Sequence, residues 1–127
     1  MPELPEVETT VRGVRPVVTG RQICSVVVRE RRLRWPVPRR VDKLAGARIV
    51  DLSRRAKYLL FDVGSGTVIM HLGMSGSLRL VEGDARWRKH DHISFRMDSG
   101  RELRFHDPRR FGCVLFCKGD PAARILA

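Results

Sequence analysis

Apolar side chains recur along this chain at two different spacings, and the change of spacing divides it into a helical opening and a β-rich remainder. Val7, Val11, Val14 and Val18 stand at i, i+4, i+7 and i+11. That spacing puts all four on one face of a helix and predicts one over residues 5–18. Glu3, Glu6 and Glu8 cluster near its start, where carboxylates meet the positive end of the helix dipole. Pro16 and Gly20 are expected to close it. Beyond it the apolar residues fall into short segments at 22–29, 47–54, 57–63, 66–72, 76–81, 91–97, 101–106 and 112–117. Turn formers separate several of them: Gly64-Ser65-Gly66, Gly73, Gly83-Asp84, Asp98-Ser99-Gly100 and Asp107-Pro108. A short helix is expected over 41–44, ahead of Gly46. The pattern predicts a mainly β fold with flanking helices: about eight short strands in an antiparallel sandwich or barrel, behind an N-terminal helix. No internal repeat or low-complexity tract interrupts it.

With 127 residues, 43% of them hydrophobic, the chain fits one domain with a real core. Charge changes the picture more. Lys and Arg number 25 against 14 Asp and Glu, a net charge of +11. Such an excess favours a polyanionic partner, nucleic acid first and an acidic membrane surface second. A basic surface without such a partner is the third option. No apolar run reaches the roughly 20 residues that span a bilayer. The N-terminus is acidic and lacks a signal-peptide apolar region, so a cytoplasmic location is expected. Cys24, Cys113 and Cys117 form neither a disulfide framework nor a zinc-ligand spacing. They are expected to be small core residues.

Candidate chemistry begins at the second residue. Removal of Met1, common when the next side chain is small, exposes a secondary amine at Pro2. An α-amino group has an ordinary pKa of roughly 8, so part of it is neutral and nucleophilic near neutral pH. A secondary amine attacking an aldehyde carbon gives an iminium, an electron sink. Glu3 is an adjacent candidate proton shuttle. The plainer reading is that Pro2 and Pro5 shape a helix start. Lys57 follows Arg54-Arg55-Ala56, and on a strand Arg55 and Lys57 would share a face. A solvated basic strand is the plain alternative. The segment from His71 to Gly76 reads as a tight hairpin connection with Met74 near its tip, either exposed or folded back onto the core. Arg109-Arg110-Phe111 follows an Asp-Pro turn. An apolar ring beside arginines suits a wedge into a base stack, while the plain alternative starts the next core strand at Phe111. His90 and His92, with His106 and Asp107, invite a metal reading, but no metal site is assigned. Arg32, Arg34 and Trp35 suggest a stacking surface, or a loop packed by Trp35. The second is preferred because Pro36 and Pro38 follow.

Taken in order, the blocks Pro2-Glu3-Leu4-Pro5-Glu6, Arg32-Leu33-Arg34-Trp35-Pro36, Arg54-Arg55-Ala56-Lys57-Tyr58-Leu59-Leu60, His71-Leu72-Gly73-Met74-Ser75-Gly76-Ser77-Leu78-Arg79, Lys89-His90-Asp91-His92 and Asp107-Pro108-Arg109-Arg110-Phe111-Gly112 resemble the bacterial formamidopyrimidine-DNA glycosylase family. That family excises oxidised purines from DNA and nicks the resulting abasic site. The resemblance implies a bifunctional glycosylase and abasic-site lyase acting on damaged double-stranded DNA through a Pro2 Schiff base, with Glu3 as proton donor. It makes Lys57 a phosphate contact that assists β-elimination. It makes His71, His90 and Arg109 DNA contacts, and it makes Met74, Arg110 and Phe111 the residues that fill the space of a flipped nucleotide. It also implies that residues 1–127 are an N-terminal catalytic β-sandwich domain. The family's helix–two-turns–helix module and zinc finger would lie beyond it, so no cofactor is expected in this chain and a monomer is. A non-catalytic DNA-binding fragment and a basic RNA-binding β-domain are the alternatives.

Overall fold

The computed structural model describes residues 4–121, which places Met1, Pro2 and Glu3 outside the described residues. Helix α1 spans Leu4–Val18 and buries Val7, Val11, Val14 and Val18. Pro16 lies inside it rather than ending it. A proline there removes one backbone donor, whereas stopping the helix would pull Val18, fully buried, out of the core. Gly20, in the left-handed region at φ 83, makes the turn that follows.

Strand β1 (Ile23–Val28) leads through a long loop to the short helix α2 (Arg39–Asp42), two residues earlier than expected. Then come β2 (Asp51–Arg55), β3 (Tyr58–Asp62), β4 (Thr67–His71), β5 (Ser77–Glu82), β6 (Asp91–Met97), β7 (Arg101–His106) and β8 (Cys113–Cys117). They form two antiparallel four-stranded sheets in the orders β1-β6-β7-β5 and β2-β3-β4-β8. Two separate sheets behind an N-terminal helix make this the sandwich that the family resemblance implies, rather than the barrel that the apolar pattern also allows. Among the described residues no helix is long and apolar enough to cross a membrane.

Alternation along each strand builds the core. Leu52, Leu59, Phe61, Val68, Met70 and Val114 of one sheet meet Ile93, Phe95, Met97, Leu103 and Phe105 of the other, with the α1 valines in the same cluster. Each fully buried side chain of this kind contributes about 1.5–3 kcal/mol. The outer face of the first sheet is polar yet also covered. Asp91 and Arg104 are buried there. Arg104 donates to Glu102 at 3.1 Å and to the Ala85 carbonyl at 3.0 Å. Its guanidinium lies 4.4 Å from the Trp87 ring centre. Burial pushes the Asp91 carboxyl up, but bonds from Arg79, the Arg88 N–H and His106 outweigh it and hold it well below the usual carboxylate range.

Four local expectations change. β2 starts at Asp51 rather than 47 because the preceding residues serve the other sheet first: Ile23 N–H donates to the Ala47 carbonyl, and Ile49 N–H to that of Arg21. Val50 N–H then donates to Asp62 of β3, so the chain switches sheets there. Arg55 pairs with Tyr58, which leaves Ala56 (φ 51) and Lys57 as a two-residue hairpin loop rather than strand. The segment after His71 is no hairpin, because β4 and β5 lie in different sheets and the chain crosses between them. Cys24 is exposed, since β1 is an edge strand whose register shifts between Ile23 and Ser25; only Cys113 is buried and Cys117 is partly so.

Candidate nucleic-acid interface

Two loops at one end of the sandwich meet backbone to backbone. One is the crossover at residues 72–76 and the other joins β7 to β8 at 107–112. Gly73 adopts φ 64, and a Cβ there would stand 2.7 Å from Gly112 N and 2.8 Å from the Phe111 carbonyl carbon. Glycine is therefore required twice over, by conformation and by space. The buried Asp107 carboxylate holds the pair. Its Oδ1 accepts from Ser75 Oγ at 2.8 Å and from Arg110 N at 3.1 Å, and its Oδ2 accepts from Gly112 N at 2.8 Å. Ser75 Oγ in turn accepts from Arg109 N at 3.3 Å. The sequence offers Asp107 only as a possible metal ligand and does not mark Ser75, so their role in pinning the loops is missed there. The signal was present only as an Asp-Pro turn and a serine between two glycines.

On this support stand two exposed apolar side chains, Met74 at 50% and Phe111 at 46%. Neither the core reading of Met74 nor a β8 that begins at Phe111 survives. The Arg109 guanidinium joins them, with Nη1 3.9 Å from Met74 Sδ and its carbon 5.1 Å from the Phe111 ring centre. The structure thus gathers Arg109, rather than Arg110, with Met74 and Phe111. Arg110 takes a left-handed backbone (φ 57). Its side chain turns to Glu30, 3.4 Å away. Hydrogen bonds from Arg32 hold the Glu30 carboxyl down at about 2, so it stays ionised.

His71, at the end of β4, sits beside this pair of loops. Its Nδ1 accepts from Gly73 N at 3.0 Å, so the neutral ring carries its proton on Nε2. Burial, with the charges of Arg34 and Lys57, lowers its pKa. Tyr58 packs edge-on to it at 4.9 Å between ring centres. His90 lines a separate groove with Arg29, Lys89 and Arg110. Its ring centre is 6.2 Å from that of His92 and 6.0 Å from that of His106. His92 Nε2 is 2.6 Å from the Asp107 carbonyl oxygen, and His106 Nδ1 is 2.9 Å from Asp91 Oδ1. No three candidate ligands converge among the described residues. Trp35 does not pack its loop: it is 47% exposed, and Leu33 and Val37 are buried in its place. Pro2 and Glu3 lie outside the described residues.

The fold is thus a β-sandwich with a helix at its start and two pinned loops that hold out an apolar pair beside arginine. The model of the formamidopyrimidine-DNA glycosylase N-terminal domain matches residues 1–114, and the chain belongs to that family. It is 59% identical over 127 residues to the formamidopyrimidine-DNA glycosylase of Thioalkalivibrio sulfidiphilus, covering 99% of this chain and 47% of that protein. Against the same enzyme of Alcanivorax borkumensis the identity is 56% over 126 residues, covering 99% and 47%. The chain spans about half the length of the curated relatives it matches. Among solved structures, Lactococcus lactis Fpg in complex with DNA containing an abasic site superposes with a TM-score of 0.89 at 34% identity, covering 98% of this chain and 47% of that one. The complex of that protein with DNA containing Fapy-dG superposes at 0.88, also at 34% identity, with 98% and 47% covered.

Proposed function

We propose that this chain is the N-terminal catalytic domain of a base-excision repair enzyme, a DNA glycosylase that removes oxidised purines and cleaves the abasic site by β,δ-elimination. The observation that carries the reading is the cluster of Met74, Arg109 and Phe111, exposed on two loops that Asp107 pins together. An apolar pair backed by a guanidinium suits the gap that an extruded nucleotide leaves. The relatives solved with abasic and Fapy-dG DNA support damaged duplex DNA as the partner.

In this mechanism the damaged nucleotide leaves the stack first. The Pro2 nitrogen, a secondary amine once Met1 is removed, attacks C1′ of its sugar, and the bond to the base breaks. Glu3 protonates the ring oxygen, the sugar opens and an iminium forms. The iminium acidifies C2′, loss of a C2′ proton expels the 3′ phosphate, and a second elimination expels the 5′ phosphate. Lys57 and His71 serve the phosphates near the lesion. His90 and Arg110, which share a groove, serve the backbone farther along.

Borohydride reduction on an abasic duplex tests the proposal. With Met1 removal verified by intact mass, a covalent adduct is expected, and peptide mapping should place it on Pro2. An adduct on Lys57 alone would overturn the nucleophile assignment. Binding without any adduct would reduce the chain to a DNA-binding module.

A further inference from the structure

Trp35 is held out in solvent by a loop built to keep it there. Leu33 and Val37 anchor the loop from either side. Arg31 fastens it, donating to the Val37 carbonyl at 2.8 Å and to both Asp42 oxygens at 2.9 and 2.7 Å. Arg32 and Pro36 pair across its neck. The fastened loop holds a half-exposed indole in a set position, and an amphipathic ring of this kind suits an interface.

The ring borders a groove that it shares with Tyr58, His71 and Phe111. Arg34 stacks over it, with its guanidinium carbon 4.9 Å from the ring centre. Arg34 N also donates to the Gly112 carbonyl at 3.1 Å, which ties this loop to the one that carries Phe111. The groove therefore combines two exposed aromatic rings with a cation, and it continues directly from the Met74–Phe111 pair.

We infer that this groove is a second stacking site, which takes an unpaired DNA base beside the position where Met74 and Phe111 enter the duplex; the inference rests on the DNA reading above. Aromatic faces accept any base by stacking, and an adjacent arginine adds a cation for the ring or the phosphate. A closed duplex offers no unpaired base. The groove thus favours DNA that is already opened at a damaged or missing base.

The chain holds two tryptophans, so Trp87→Phe leaves Trp35 as the single indole reporter. At one salt concentration its fluorescence is expected to be quenched by a duplex with a central abasic analogue and by single-stranded oligothymidine. Quenching by the same duplex intact should be much weaker. In the chain that keeps Trp87, Trp35→Leu should weaken binding of labelled abasic duplex roughly tenfold, the scale of a lost base–aromatic stack. Affinity for the intact duplex and the melting midpoint should not change. Equal quenching by the intact duplex, or unchanged affinity in Trp35→Leu, overturns the inference. So does a loss of affinity that comes with a lowered melting midpoint, which would make Trp35 a packing residue. Trapping on Pro2 reads the glycosylase proposal separately: an intact adduct with unchanged Trp35→Leu affinity removes the groove alone, while no DNA binding by any measure removes both.

Discussion

The imidazole of His71 is held neutral by its surroundings. Burial comes first among the causes, followed by the charges of Arg34 and Lys57, and together they lower its pKa from the ordinary 6.5. An NMR titration of its ring protons should therefore give a midpoint below 6.5. A midpoint at or above that value would remove the neutral donor at Nε2 from the proposed phosphate contact. The sign for stability follows. As pH falls, the unfolded chain takes up this proton before the folded one, so the His71 contribution is complete above the ordinary histidine range and is lost as pH falls through the folded pKa. Met74 and Phe111 present a different case, since half of each side chain is already in water. Met74→Ala and Phe111→Ala should leave stability within about 0.5 kcal/mol, as exposed substitutions do. Both should reduce the preference for abasic over intact duplex. A thermal melt of Phe111→Ala that shows a loss of roughly 3–5 kcal/mol, the cost of a core phenylalanine, would sink the wedge assignment.

At the scale of elements, the site depends on one buried carboxylate that links a crossover to a β–β connection. Ser75 lies on the first and Asp107 on the second, 32 residues apart in the chain. Asp107→Ala leaves the buried Gly112 N–H without its acceptor, and such a group costs about 1–3 kcal/mol. Ser75→Ala removes the bridge between the loops but keeps the Asp107 bonds to Arg110 and Gly112, so its effect should be smaller. The two changes share one hydrogen bond and should not add. Additivity within about 0.3–0.5 kcal/mol in a double-mutant cycle would show that the loops are positioned separately. The short range of this coupling also explains what could be read beforehand. Glycines and an Asp-Pro turn mark the loops by residue type. That the loops touch depends on β4 and β8 being neighbours in one sheet while β5 and β7 pair in the other.

For the whole molecule, the net charge of +11 sets the expected response to salt. Phosphate contacts release counterions, so log affinity for DNA should fall linearly with log salt, with a slope near −0.9 for each phosphate neutralised. Titration of a labelled duplex at several salt concentrations checks this. Tight, salt-insensitive binding would contradict a phosphate-led interface. Much of the positive charge is exposed, but Arg104 is buried under Trp87 and paired with Glu102. Net charge therefore overstates what is available to a polyanion.

Apolar periodicity and turn residues determined the valine face of α1, the strand count and an antiparallel sandwich or barrel, because burial on one face of a regular element writes itself into neighbouring positions; the motif blocks narrowed this to the sandwich. The ordered motif blocks likewise marked nearly every candidate side chain, since turn-forming residue types reveal where a loop lies. Only tertiary structure decided which loops meet and which way their side chains turn. The helix runs through Pro16 because the core holds Val18. Arg109 turns toward Met74 while Arg110, itself in a left-handed backbone, turns toward Glu30. Trp35 faces outward because Leu33 and Val37, on either side of it, face inward. Each of these outcomes depends on how a side chain packs within the folded molecule, and residue type at one position carries no record of that packing.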